Sequence, residues 1–223
     1  MKTVAVVTAT TGRESILQAI ASVQEQTYTC QHYVFIDGPC DVPEEVFDYT
    51  NAVVLPKPTG KNGIMNGGIV AASAYLVEED YICWLDDDNW FEPEHVETLM
   101  EAIKYKQYAY SLRKLMNPDG TFWDYDDCES LGVRSELIDV NCYLMERKLA
   151  CGFAPLWYHT TGTLMIGDRY MLQGLKQHNI PYGETGKYTV NYRLNPQRDL
   201  RSFFFQGNIQ NRSRFPDGLP WVK

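Results

Sequence analysis

The chain has 223 residues, of which 44% are hydrophobic and 22% charged, enough for one globular domain with a sizeable core. A formal net charge of -9 argues against a nucleic-acid backbone or an anionic membrane surface as the main partner. Any phosphate it binds must be handled locally, by metal, by amide groups or by a few basic side chains.

Residues 3–8 are short, continuously apolar and β-branched, which predicts a strand buried on both faces and hence a parallel sheet with helices on each side. Residues 9–13 connect it to a helix running to about residue 26. Thr11 and Glu14 fit a capping box there, and Ile16, Ile20 and Val23 recur at helical spacing. Residues 32–36 predict a second strand, ended by Asp37-Gly38-Pro39, and 51–55 a third, in βαβ order. A basic loop at 59–63 enters a helix on which Ile69, Ser73, Leu76 and Val77 share a face. Gly67 and Gly68 in its first turns cost about 1 kcal/mol each relative to alanine, which a close approach by a ligand or another backbone would explain.

Residues 81–85 form the fourth apolar run, and it ends abruptly in Asp86, Asp87 and Asp88. Two charges about 6 Å apart in an effective dielectric of about 20 repel by roughly 3 kcal/mol. Either the cluster is a solvated acidic turn capping the next helix, for which Pro93, Glu92 and Glu94 are suited, or it binds a hard divalent cation and through it a polyphosphate. Val96, Leu99, Met100 and Ile103 mark the following helix. From about residue 107 the pattern changes to an irregular α+β half. It contains a strand at 108–115, a strong turn at 117–120, a hairpin partner at 121–125, an amphipathic helix at about 167–178 and a strand at 188–193. The tail from 196 to 223, including Phe203, Phe204 and Phe205, has no clear period.

Ligands of open parallel sheets sit outside the carboxyl ends of the strands, so Thr8 to Thr11, Asp37 and Asp86 to Asp88 are predicted to converge on one crevice. Hydroxyls and a carboxylate suit a nucleoside, and the acid cluster suits its diphosphate. Singly, each also fits a strand end or a turn. Aromatic residues such as Trp123, Tyr125, Trp157 and Tyr158 fit either the core or a sugar-stacking acceptor cleft. The six cysteines form no C-x-x-C pair or zinc spacing, and no run approaches the roughly 18 apolar residues of a membrane span. Lys2 leads straight into the first strand without a signal-peptide pattern, so a cytoplasmic protein with no integral membrane segment is expected.

The motifs Val4 to Arg13, Phe35-Ile36-Asp37-Gly38-Pro39, Asn66-Gly67-Gly68-Ile69 and the D-x-D stretch Leu85 to Glu94 resemble the inverting GT-A glycosyltransferases of family 2. The resemblance runs in register from residue 3 to about 104 and more weakly to about 177. It implies a single GT-A domain (the nucleotide-diphospho-sugar transferase fold, α/β, with a mostly parallel sheet flanked by helices). Residues 1–106 would be the nucleotide half and 107–223 the acceptor half. It further implies that Asp37 binds the nucleobase, Asp87 the ribose and Asp88 a Mn²⁺ or Mg²⁺ on the diphosphate. Asp86 would support them, and Thr8, Ala9, Thr10, Arg13, Lys61 and Asn66 would contact the nucleotide. The donor would be a nucleotide sugar, most simply a UDP-sugar, and the acceptor a carbohydrate or other hydroxyl. Gly38 stands where the family often has a second aspartate, and Met65 replaces the usual arginine, for which Lys61 or Arg13 would substitute. The Q-x-x-R-W signature of processive enzymes is missing, which implies transfer of one sugar.

Family members place the catalytic base just before or at the start of a late helix, which points to Asp168, with the patch Asp124, Asp126, Asp127 and Glu129 as its rival, although that patch reads first as a solvated loop or an acceptor contact. His159 or His178 could supply a third metal ligand, although a lone histidine is more often structural. Two other readings remain: a noncatalytic sugar or nucleotide binding module, and a nucleotidyltransferase of related fold. The second would normally show a longer glycine-rich basic loop than residues 9–13.

Overall fold

The computed structural model describes residues 2–60, 65–158, 160–161, 164–165 and 167–194. In chain order the first half comprises β1 (Val4–Thr10), α1 (Ile16–Gln24), β2 (Gln31–Ile36), α2 (Glu45–Tyr49), β3 (Asn51–Val54), α3 (Gly67–Leu76), β4 (Tyr81–Trp84), β5 (Trp90–Phe91) and α4 (His95–Ala102). The second comprises β6 (Tyr108–Met116), β7 (Phe122–Tyr125), β8 (Tyr143–Glu146), α5 (Arg147–Phe153), the short pair β9 (Thr160–Thr161) and β10 (Leu164–Met165), α6 (Gly167–Gln177) and β11 (Tyr182–Arg193). One sheet runs in the order β3-β2-β1-β4-β8-β6-β11-β5, with β7 pairing β6.

The first four strands are mutually parallel, as the β-branched runs predict. Val4, Ala5, Val6 and Val7 are almost completely buried because helices cover both faces of β1. On α1, Ile16, Ala19, Ile20 and Val23 form the buried stripe, and on α4 it is His95, Val96 and Leu99. Trp84 at the end of β4 donates its indole N–H to Ser73 Oγ on α3 at 2.9 Å, which explains a buried serine on a helix face. Val77, just past α3, is buried as expected, but Leu76 is 58% exposed and Val70 and Ala74 take its place inside. Beyond β4 the sheet becomes mixed: β8 is antiparallel to both β4 and β6, whereas β11 lies parallel to β6 with two register shifts between Glu184 and Val190.

Three sequence expectations change. The Thr11 and Glu14 capping box does not form, because Gly12 turns the chain with φ +89° and α1 begins only at Ile16, after Ser15. A side chain at Gly12 would also collide with the Asp41 carbonyl, 2.1 Å from its Cβ. The final strand starts at Tyr182 rather than 188, and β8 and α5, hidden in the irregular half, complete the sheet and cover it. The acidic stretch after β7 is not a solvated loop. Asp126 is fully buried, accepting from Arg113 Nε at 2.7 Å and from the main-chain N–H groups of Cys128, Glu129 and Ser130. Arg113, 2% exposed on β6, also pairs with Glu129 and Asp139. All six cysteines are free thiols. Among the described residues no helix is long and apolar enough to cross a membrane.

The Arg113 cluster is a stability element with an asymmetric cost, since removing one partner leaves the others buried and uncompensated. Asp126→Ala is expected to lower unfolding stability by about 3–5 kcal/mol, read from urea denaturation.

Candidate active site

A cavity of about 590 Å³ opens at the carboxyl ends of β1, β2 and β4, a size suited to a nucleotide-scale ligand. Ala9, Thr10 and Arg13 from the β1 end line it, with Asp37 from the β2 end and Asn66 from the start of α3. Asp86, Asp87 and Asp88 follow β4 into the same space, and Asp168 in the first turn of α6 lines it from the second half of the chain. Of the residues expected at the site, Thr8 is not brought there. It shares a face of β1 with Thr10 but lies two residues inside the strand's carboxyl end, where its side chain is completely buried and its hydroxyl pairs with His32 Nε2 at 2.9 Å. Lys61 and His159 lie outside the described residues. His178 does not line the cavity; its Nδ1 bonds the Gly174 carbonyl and its ring meets Phe153.

Each aspartate of the cluster has its own partners. Asp86 accepts from Asn66 Nδ2 at 2.7 Å and from Asn141 Nδ2 at 2.9 Å. Asp87, nearly buried, accepts from Thr10 Oγ1 at 2.7 Å, and the same hydroxyl accepts from the Gly12 N–H at 3.1 Å. Asp88 accepts from Arg13 Nη1 at 2.8 Å, with Asp87 3.4 Å from the same nitrogen. Burial pushes the Asp86 carboxyl up to about 8, helped by the charges of Asp139 and Asp88. Asp87 and Asp88 are also raised by burial, against the pull of Thr10 and Arg13 on the first and of Arg13 on the second. The acids of the site therefore hold their protons more readily than ordinary aspartates do.

Asp37 is engaged by the chain itself. Its Oδ1 accepts from the Thr59 N–H at 2.6 Å and hydroxyl at 2.8 Å, and its Oδ2 from the Gly60 N–H at 3.0 Å, so it fixes the loop beside the cavity. A Cβ at Gly68 would make only ordinary 3.6 Å contacts, so no described part of the chain presses against that glycine. Asp168 is raised to about 7, first by burial and then by the charge of Asp139. The rival acids are elsewhere: Asp126 is committed to Arg113, and Glu129 bridges Arg113 at 2.7 Å and Arg169 at 3.1 Å.

The cavity-lining residues Asp139, Val140, Tyr192 and Arg193, all in the second half of the chain, escaped the sequence reading. Their neighbours gave some signal. Arg113 interrupts a buried apolar strand, and Asp139 and Asn141 immediately precede the apolar run 142–145. Arg193 stacks over Trp90 at 5.0 Å and donates to the carbonyls of Asp88 at 3.1 Å and Pro118 at 3.0 Å and to Gln18.

A parallel nucleotide-type half joined to a mixed half, with an acid cluster at the end of β4, defines the GT-A architecture. The sequence model for Glycosyl transferase family 2 matches residues 3–173, and the chain belongs to that family. Its fold is similar to that of S. aureus TarS. Residues 1–349 of TarS superpose with a TM-score of 0.62 at 12% identity over 86% of this chain and 60% of that one. The same TarS fragment in complex with UDP-GlcNAc gives 0.63 at 12% identity over 96% and 66%. A Haemophilus influenzae protein described as uncharacterized is 41% identical over 56 residues, 25% of this chain and 35% of its own length. The chain thus spans only part of the proteins it matches.

The Thr10 hydroxyl links the β1 turn to a buried carboxylate. Thr10→Val is expected to cost about 1–3 kcal/mol of unfolding stability, because Asp87 loses a donor it cannot replace with water; chemical denaturation measures it.

Proposed function

We propose that this chain transfers one sugar from a nucleotide sugar, with UDP as the nucleotide, to an acceptor hydroxyl with inversion. The observation that carries the reading is the meeting of Asp86, Asp87, Asp88 and Asp168 on one cavity at the carboxyl ends of the strands, in a chain of this family. The UDP and UDP-GlcNAc complexes described for TarS support the choice of nucleotide.

In this reading the nucleoside lies along Ala9, Thr10, Asp37 and Asn66, and its diphosphate faces Asp88, Arg13 and Arg193. Arg193 suits the diphosphate because it lines the cavity and, among the described residues, its hydrogen bonds go to neutral acceptors, two carbonyls and the Gln18 amide. Among the described residues no three acidic, histidine or cysteine side chains are grouped to enclose a metal. The donor set still fits Mg²⁺ or Mn²⁺, since such ions are commonly held by one or two carboxylates plus substrate phosphates, and Asp88 lines the cavity with a carboxylate oxygen bonded to half-exposed Arg13. When bound, the ion takes up negative charge on the departing diphosphate.

Asp168 accepts the proton of the acceptor hydroxyl as its oxygen bonds the sugar's anomeric carbon and the bond from that carbon to the diphosphate breaks on the opposite face. A carboxyl pushed to about 7 suits this task, because about half of it is ionised at neutral pH and it is basic enough to take a proton. Such a base works only deprotonated. The rate should therefore hold above about pH 7 and fall roughly tenfold per unit as the pH drops below it.

Calorimetric titration of UDP with and without Mn²⁺ tests the donor site. Metal-dependent binding is expected in the wild type and should be lost in Asp88→Ala; no UDP binding in either condition rejects UDP as the nucleotide. Asp168→Asn should retain UDP binding and lose about 10²–10⁴-fold in turnover. A wild type that binds UDP but turns over no nucleotide sugar would identify a noncatalytic module.

A further inference from the structure

Asp86 is held differently from its two neighbours. Its main-chain N–H donates to Asn141 Oδ1 at 2.6 Å while its carboxylate accepts from Asn141 Nδ2 at 2.9 Å. One amide thus grips the backbone and the side chain of a single residue, which fixes both its position and its rotamer. Asn141 is itself completely buried. Its Nδ2 also donates to Asp139 Oδ1 at 2.6 Å, and its main-chain N–H reaches the same oxygen at 3.0 Å. The other Asp139 oxygen accepts from buried Arg113. The orientation of the amide follows from these partners: turned over, it would set its NH₂ against the Asp86 N–H and its oxygen against two carboxylates.

We propose that Asn141 is a positioning residue of the donor site, acting through Asp86, with Asp139 and Arg113 locking its amide; the inference rests on the donor-site reading above. Asparagine meets a demand here that its near isosteres cannot. Aspartate would bring a third carboxylate against Asp86 and Asp139, and leucine would leave the Asp86 N–H without its acceptor. Asp86 is where the chain leaves the sheet, directly after Leu85 donates its N–H to Val7 at 2.9 Å. The direction fixed at Asp86 therefore sets where Asp87 and Asp88 point. Small displacements there matter, because binding and transfer depend on oxygen positions held to a fraction of an ångström.

A double-mutant cycle on the full chain separates positioning from general support. UDP affinity is measured by calorimetry with Mn²⁺ for wild type, Asn141→Ala, Asp86→Ala and the double variant, with melting temperatures recorded alongside. Each single change is expected to weaken UDP by about tenfold or more, and the double to be no more than about threefold weaker than the worse single, since both remove the bond between the Asp86 carboxyl and the Asn141 amide. Factors that multiply overturn the inference, as does an Asn141→Ala protein that melts earlier but binds UDP like the wild type. If Asn141→Ala does not fold, Asn141→Ser takes its place in the cycle. A wild type that binds neither UDP nor another nucleoside diphosphate overturns the donor-site reading, and this inference with it.

Discussion

Three adjacent carboxylates at the end of a buried strand are the constraint on which the rest of this structure depends. They are tolerated because each is answered by a different part of the chain. Asparagines from the start of α3 and from just before β8 hold Asp86, a β1 hydroxyl holds Asp87, and the β1 to α1 connection supplies Arg13 to Asp88. The elements that converge on the cavity are thus the elements that supply those partners. Burial still leaves all three acids raised above their ordinary range, so the relief is incomplete. An incomplete balance of this kind is what a site for cationic or proton-sharing chemistry requires.

The second half solves a related problem by the opposite means. Arg113 is a buried cation inside an apolar strand, and it gathers Asp126, Asp139 and Glu129 from segments that have little regular structure of their own. Asp126 in turn accepts three main-chain N–H groups, so one carboxylate organises a turn that hydrophobic packing alone would leave loose. The two halves meet where Asn141, itself bonded to Asp139, grips Asp86, and the charge arrangement of one reaches the acids of the other there.

How much of this was legible in the sequence follows from which forces shape each part. The strands of the parallel half are fixed by burial on both faces, and burial writes itself as continuous Val, Ile and Phe runs, so β1, β2 and β4 and the gathering of Asp37 and Asp86 to Asp88 at their ends could be read directly. Asp168 was reachable only through resemblance, because a first-turn aspartate fits many helices. Thr8 looked equivalent to Thr10, and the two do share a face of β1, but Thr10 stands at the carboxyl end of the strand and Thr8 inside it: one hydroxyl meets Asp87 and the other His32. The acidic stretch 124–129 misled because charge runs usually face water, and its buried counterion sits more than ten residues earlier in the chain, at Arg113. Asp139, Asn141, Tyr192 and Arg193 owe their places to pairings between distant segments, which no local period encodes.

The irregular register between β11 and β6 bears on how such a site can change over time. The pairing slips between Glu184 and Tyr188 and again between Tyr188 and Val190, and downstream of those slips Tyr192 and Arg193 reach the cavity. Side chains alternate across a strand, so the face each presents is set by the count of residues before it. The loss or gain of one codon in this stretch would exchange the residues turned toward the cavity without altering any residue of the acid cluster. Descendants of such a gene could acquire a new lining in a single genetic event, with the parallel half left intact.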